Sequence, residues 1–344
     1  MRVKAGLAVN RKGQTLRLTA DTSVALARRF DSATTSCVFA ACNPVAGGTY
    51  IAGAGVYLLT IGPAQTSEGR AQTNGLDPSN VRCNTDATLE AIHFKLLAIA
   101  PQLLAGLDVG ARDFRSALAY RCFGGAVRAD GFVNLLADVP RTEGLIEALR
   151  PTPLTDLDVP LALVYMTGTA RITFVDCWAA RRALSRSESS GFGGLVESRR
   201  PTLGEAMFKQ FQRHIAELLP PSGELGLVSA RSDFRYLPPA GVIPVAESSI
   251  GGDEARFFAG MTVRGPVFIN AARAEGLVRE SMCFPPIDTR SPELVWLYCV
   301  RENRTARDFN SVAPLPRAYL VFASGHLPYR ADAHFDIAYW NYSN

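Results

Sequence analysis

Four residues near the C-terminus are the densest group of possible metal ligands in the chain: His326, Asp332, His334 and Asp336. In an extended strand, positions 332, 334 and 336 would point to one face and bring two carboxylates and an imidazole together. Oxygen and imidazole ligands suit zinc, iron or manganese. A half-buried edge strand gives the same alternation of polar and apolar residues, and the spacing matches no established metal motif. We therefore assign no metal ligand and keep a metal-dependent hydrolase as an alternative hypothesis.

The cysteines and glycines do not form a recognisable catalytic or cofactor motif. Cys37 and Cys42 could hold zinc with Cys83, but the second closely spaced pair of a structural zinc site is missing, so we expect buried or incidental thiols. There is no Gly-x-Ser-x-Gly motif and no Walker A loop. The glycines at 47–48 and 53–55 do not form a dinucleotide-binding loop. We expect no cofactor, no catalytic residue and a protein that is not an enzyme.

Two histidines and an arginine-rich segment remain as polar candidates. His93 follows an apolar strand pattern, and we expect it in the core or on a sheet face, satisfied by one hydrogen bond. His214 is expected on the solvated side of a helix. A glycine-serine segment is framed by arginines that could clamp a phosphate or an acidic partner, although an exposed loop is the expected structure. These arginines are Arg181, Arg182, Arg186, Arg199 and Arg200.

The elements that would position these residues are mixed in type. Strands are predicted at 6–9 and 15–19 as a hairpin, and at 56–61, 88–99, 159–166, 172–175, 294–300 and 319–322. Helices are predicted at 112–123, 142–149, 202–219 and 271–281, the third starting at a capping box from Thr202 to Glu205. Segments 65–85 and 181–201 are predicted loops, and 236–241 a rigid, non-helical passage. Strands do not alternate regularly with helices, which indicates an α+β fold.

Length and composition set the class of protein. The 344 residues are predicted to form a β-rich domain at 1–100, a region of mixed helices and strands at 101–230, and a β-rich C-terminal region at 231–344. The C-terminal region can pack with region 101–230 as one domain. A net charge of +4 without a basic block argues against nucleic-acid binding. The chain has neither a long apolar run nor an apolar segment behind its first residues, so we expect no membrane insertion and a cytoplasmic protein.

Seven stretches of sequence together resemble one family. They are 6–13 (GLAVNRKG), 56–62 (VYLLTIG), 158–162 (DVPLA), 174–178 (FVDCW) with 181–182 (RR), 236–244 (YLPPAGVIP), 296–303 (WLYCVREN) and 335–341 (FDIAYWN). The chain thereby resembles a family of bacterial proteins found with phage-tail-like contractile injection systems.

The resemblance implies a non-enzymatic structural component of such a particle, at its baseplate, spike or outer surface. The expected partners are other protein subunits of the particle, with self-association possible, and the particle would be assembled in the cytoplasm and could then be released. Trp178, Trp296 and Trp340 lie beside polar or basic residues, as interface anchors often do, and placement in the core is an equal alternative. A surface-binding module for a glycan or a host receptor is the main alternative, which an apolar patch rimmed by polar groups would favour.

Overall fold

The computed structural model describes nine segments of the chain: residues 1–30, 48–68, 87–124, 144–168, 171–182, 199–220, 225–245, 252–300 and 319–325. They form two compact units, each built from two separate pieces of sequence. The first unit comprises 1–103 and 149–180, and the second comprises 104–148 and 181–344. These boundaries differ from the three sequential regions expected from the sequence, because segment 149–180 belongs to the same unit as the N-terminal strands.

The described part of the first unit consists almost entirely of strands. Its main sheet is antiparallel with the order β10-β9-β7-β8, and three two-stranded sheets pair β1 with β4, β2 with β3, and β5 with β6. The strands are β1 (Arg2–Val3), β2 (Gly6–Val9), β3 (Thr15–Leu18), β4 (Thr22–Ser23), β5 (Ala27–Phe30), β6 (Gly48–Ile51), β7 (Gly55–Glu68), β8 (Ala87–Ala98), β9 (Val159–Met166) and β10 (Ile172–Asp176).

Alternation along β7 gives this sheet two different faces. One face carries Leu59, which packs with Val164, Met166 and half-buried Phe94 in an apolar cluster. The other face carries Leu58, Thr60 and Gly62, because successive side chains of a strand point to opposite sides. The register sets Thr60 opposite Lys95 and Gly62 opposite His93. This second face therefore combines apolar and polar residues.

The second unit is a mixed sheet with helices. Its strands are β11 (Tyr236–Leu237), β12 (Ala240–Pro244), β13 (Thr262–Ile269), β14 (Ile287–Asp288), β15 (Leu294–Val300) and β16 (Tyr319–Ser324). The sheet order is β12-β16-β15-β13, with β13 parallel to β15 and the other pairs antiparallel, while β11 pairs with β14. The helices are α1 (Phe114–Cys122), α2 (Arg199–Leu218), α3 (Ala230–Asp233), α4 (Asp253–Phe257) and α5 (Ala271–Ser281).

Apolar side chains cover both faces of this mixed sheet. Phe322 and Leu297 belong to the larger core with Phe211 of α2. Their strand neighbours Val321 and Tyr298 pack with residues of α5 in a smaller cluster. The parallel pair of β13 and β15 needs a crossover connection, which α5 supplies.

The α+β fold with a strand-rich N-terminal part is confirmed, and several local predictions need correction. Helix α2 begins at Arg199, so Thr202 lies inside the helix and is not its cap. Strand β7 continues to Glu68 into the predicted loop, because it pairs with β8 up to Ala87. In the predicted helix 142–149, the described part holds only a short 3₁₀ helix, Glu147–Leu149. A second 3₁₀ helix spans Pro101–Leu104.

Within the described residues, no helix is long and apolar enough to cross a lipid bilayer.

Candidate functional site

All of the metal-site candidates named from the sequence fall outside the described residues. This applies to His326, Asp332, His334 and Asp336, and to Cys37, Cys42 and Cys83, so those hypotheses stay predictions. Across the segments that the structure does describe, no three His, Cys, Asp or Glu side chains come together as a metal site. Among the described cysteines, Cys122 and Cys299 are buried, Cys177 is half-buried and Cys283 is exposed.

A polar cluster on the sheet of the first unit is the first candidate site, and we call it the Gly62 site. Its members are Thr60 and Gly62 of β7, His93 and Lys95 of β8, and Asp158 with Thr155 from the turn before β9. The turn closes with a hydrogen bond from the Asp158 amide to the Thr155 carbonyl, 3.1 Å long. Val159 is paired with Ile61 in the ladder. This pairing brings Asp158 next to Gly62.

Asp158 is the centre of the Gly62 site. Its side chain is 1% exposed, and its Oδ1 lies 2.9 Å from the Lys95 ammonium. The other carboxylate oxygen, Oδ2, accepts hydrogen bonds from the Thr155 hydroxyl at 2.6 Å, the Thr155 amide at 3.0 Å and Lys95 at 3.2 Å. Burial alone would raise the pKa of Asp158, but these hydrogen bonds and the lysine charge together hold the pKa below its usual value.

Gly62 makes this arrangement possible because it has no side chain. A Cβ at Gly62 would lie 2.8 Å from Asp158 Oδ1 and 3.4 Å from the His93 ring, which is closer to the oxygen than real Cβ atoms come. The absence of that atom lets the carboxylate and the imidazole approach β7 together. Chemically, the site ties β8 to the start of β9 across β7 through an ion pair between the buried Asp158 carboxylate and the partly exposed Lys95 ammonium.

Only part of the Gly62 site could be predicted from the sequence. His93 and Lys95 both lie in the strand predicted at 88–99, and residues two apart in a strand share one face. Asp158 was missed because it lies 63 residues from Lys95, and only the tertiary pairing of β7 with both neighbours brings the two together. The expected hydrogen bond of His93 is not found at Nε2, which is buried and has no partner in the described structure.

A second candidate, in the second unit, consists of the apolar turn 225–228 and a cavity, both in contact with the short helix α4, and we call it the Leu227 surface. Leu227 is 84% exposed, although the flanking Leu225 and Val228 are buried. The turn is held by a hydrogen bond from the Val228 amide to the Leu225 carbonyl at 2.9 Å, and Gly226 has the positive φ of 53° that the turn requires. A side chain presented on a turn with buried anchors loses little freedom when a partner contacts it.

Helix α4 contacts the turn and also contributes residues to the cavity. Arg256 of α4 donates a hydrogen bond to the Gly226 carbonyl at 3.1 Å. Residues on either side of Arg256 line a cavity of about 390 Å³. Its other walls come from β13 and β15. Most of its side chains are apolar, and buried Glu254 is the charged one. The larger apolar side chains are Phe258, Met261, Val263, Pro266 and Leu297.

One of the predicted clamp arginines is engaged inside the second unit. The Arg182 guanidinium lies 4.6 Å from the centroid of the Phe123 ring and donates hydrogen bonds to the carbonyls of Cys122 and Arg181. These contacts fix Arg182 on the end of α1. The side chains of Arg186, Arg199 and Arg200 are outside the described structure, so the clamp stays a prediction.

The prediction that His214 is solvated is wrong. His214 is 4% exposed and packs edge-on against Phe234, with 4.9 Å between ring centroids. Burial, helped by the positive charge of Arg115, lowers the pKa of His214 from 6.5 to about 3. Polar neighbours of His214 in α2 suggested that it is exposed. Gln210, one turn earlier in α2, is buried as well, and its side chain accepts a hydrogen bond from the Tyr236 hydroxyl at 2.9 Å. The buried face of α2 is therefore wider than the apolar stripe.

Comparisons with known proteins give no match: no protein-family model, no curated protein and no solved structure matches this chain.

Proposed function

We propose that this chain is a non-enzymatic structural component of a phage-tail-like contractile injection particle and acts through contacts with other protein subunits. The sequence resemblance supports this proposal, since its seven stretches run from residue 6 to residue 341. They include β2, most of the buried part of β7, and β11 with β12. The proposed partners are neighbouring subunits of the particle, including further copies of this chain.

The Leu227 surface is the observation that carries the proposal. A lone exposed leucine is ordinary on a protein surface. Leu227 differs because its turn is anchored by buried neighbours and by a hydrogen bond from Arg256 of α4, a helix in which other residues line an apolar cavity. A rigid, exposed apolar side chain is a suitable docking element for a partner that offers the complementary shape.

Purification of the tagged chain from its native host tests this proposal. We expect it to bring down sheath, tube or baseplate subunits in one large particle, identified by mass spectrometry after size separation. Recovery as a monomer or small oligomer without particle proteins would contradict the proposal, and glycan binding by that free form would favour the surface-binding alternative.

Substitution of Leu227 tests the surface itself. Leu227→Asp puts a charge on the apolar contact, and we expect the amount of chain recovered with the particle to fall about 10-fold, equivalent to about 1.4 kcal/mol of binding free energy. Quantitative mass spectrometry of the particle fraction measures this.

Leu7→Asp is the matched control, because Leu7 is also strongly exposed, at 68%, but lies in the β2–β3 hairpin of the first unit. We expect this variant to be incorporated like the natural chain. Equal losses for both variants, or no loss for Leu227→Asp, would refute the assignment of the Leu227 surface.

A further inference from the structure

The cavity against α4 combines apolar walls with a buried acidic residue. Phe258 and Leu297, each 2% exposed, are deeply buried members of its lining, and Met261 and Val263 are half-buried. Among the described residues of the lining, Glu254 is the one with a charged side chain, and it is 5% exposed. Apolar walls with few polar groups are typical of sites for small molecules.

Small residues keep the cavity accessible from solvent. Ala255, Ala259 and Gly260 belong to its lining and are exposed. Gly265 is also an exposed member of the lining, with a positive φ of 113°. A Cβ at Gly265 would lie 2.5 Å from the Leu297 carbonyl oxygen, so a larger residue does not fit there. These four positions therefore place nothing larger than a methyl group over the exposed part of the lining.

The cavity has room for an aromatic ring, and its wall is already ordered. Phe258 packs edge-on against Phe257 and Phe322, with 4.8 Å and 5.7 Å between ring centroids. Because the core fixes Phe258, a bound apolar group does not have to order it. An apolar cavity of about 150 Å³ is large enough to bind benzene. At about 390 Å³, this cavity can hold such a ring together with a short chain.

Two arginines close to the cavity are held by backbone carbonyls. Arg231 donates hydrogen bonds to the carbonyls of Thr289 at 3.1 Å and Gly260 at 3.3 Å. Arg256 donates one to the Gly226 carbonyl at 3.1 Å. Neither arginine is among the residues that line the cavity. The charge in the described lining is therefore negative.

This negative charge limits the class of ligand. The Glu254 carboxylate repels an anion, and a neutral apolar molecule would displace water from it without offering a charge in return. A metal ion takes several protein ligands, whereas the described lining offers one carboxylate side chain. An organic cation with an apolar body supplies both a charge for the carboxylate and a surface for the walls.

We propose that this cavity binds a small organic cation, a protonated amine carried on an aromatic or aliphatic body. The ammonium group donates a charge-assisted hydrogen bond to the Glu254 carboxylate, and the body lies against Phe258 and Leu297. This binding is a property of the isolated chain and does not depend on incorporation into a particle.

Titration of the full chain with 2-phenylethylamine at neutral pH, followed by ligand-observed NMR, tests this proposal. The amine is protonated under these conditions, and 2-phenylethanol is a neutral molecule of the same shape. We expect saturable binding of the amine, at least about 10-fold tighter than that of the alcohol. Equal affinities, or no saturable binding of the amine up to about 10 mM, would overturn the proposal.

Glu254→Gln tests the role of the charge. This variant keeps the shape of the side chain, and we expect it to bind the amine and the alcohol with equal affinity. Retained binding of the alcohol would show that the cavity is intact. A preference for the amine as strong as that of the natural chain would refute the role of Glu254.

Ala259→Phe tests the location of the site without changing a charge. A ring at this exposed position fills the entrance, and we expect binding of the amine to weaken at least about 10-fold. Ala272→Phe is the matched control, because Ala272 is an exposed residue of α5 outside the lining, and it should bind the amine like the natural chain. Equal binding by the two variants would place the ligand elsewhere and overturn the proposal.

Discussion

Gly62 is the residue on which the polar site of the first unit depends. Asp158 can be buried at low cost only because Lys95 supplies a counter-charge and Thr155 supplies two hydrogen bonds. All of these contacts require the carboxylate to lie close to the backbone of β7, where any larger residue would place a Cβ. The glycine therefore acts through the space it leaves open.

Gly62→Ala is expected to lower the free energy of unfolding by about 2 kcal/mol, because the new Cβ must displace the Asp158 carboxylate. Urea denaturation measures the effect. Gly53→Ala is the matched control, since a Cβ there meets no atom within 4 Å, and it should change stability by less than about 0.5 kcal/mol. Similar small effects at both positions would show that Asp158 is not held against β7.

His214 gives the molecule a pH dependence that differs from that of its carboxylates. Because its pKa is about 3 in the folded chain and about 6.5 when unfolded, only the unfolded chain takes up this proton between those values. Stability is therefore complete above pH 6.5 and falls as the pH falls towards 3. The pKa values of Asp158, Glu217 and Asp288 are also lowered, so their contributions are lost only below about pH 4.

Between pH 7 and pH 5, we expect the free energy of unfolding to fall by about 2 kcal/mol more in the natural chain than in His214→Gln, which cannot take up this proton. Urea denaturation of both proteins at the two pH values measures the difference. The comparison cancels the contributions of the other histidines. An equal fall in both proteins would mean that His214 is accessible to protons in the folded chain.

At the scale of single elements, close packing decides where glycine is required in the helices. A Cβ at Gly204 in α2 would overlap the backbone carbonyl of Met282, the residue that ends α5. Gly276, in the interior of α5, has no atom within 4 Å of its Cβ position. The same residue type thus has opposite roles in two helices of the second unit.

We expect Gly204→Ala to destabilise the protein by more than about 3 kcal/mol, because a backbone carbonyl cannot move aside as a flexible side chain can. Gly276→Ala should instead stabilise it by about 0.5–1 kcal/mol, since alanine loses less backbone entropy in a helix. Thermal or urea denaturation of the two variants measures both effects. A mild effect at Gly204 would contradict the packing of α2 against the end of α5.

Elements defined by local signals could be predicted from the sequence, and long-range contacts could not. The β2–β3 hairpin follows from alternation around a turn at Asn10 to Gly13, and the apolar face of α2 follows from its helical spacing. The capping box at Thr202 was misleading because the helix continues back through Pro201 to Arg199. Proline is tolerated in the first turn, where its missing N–H has no partner to lose.

At the scale of the whole molecule, the chain passes between its two units more than once. The first unit takes β9 and β10 from segment 149–180. The second unit takes α1 from segment 104–148, which precedes it in the sequence. The pairing of β11 with β14, about 50 residues apart, likewise joins segments that no local pattern connects. Neither unit corresponds to a single stretch of sequence, and local patterns along the chain do not show which separate segments join.

The most direct test of the structural role is sedimentation of the untagged chain from a lysate of its native host through a density gradient. Each fraction is quantified for this chain and for the sheath and tube subunits. We predict that the chain peaks with these subunits at a constant ratio and moves to the top of the gradient in a host that lacks the tube subunit. A chain that stays at the top while intact particles sediment normally would contradict the account.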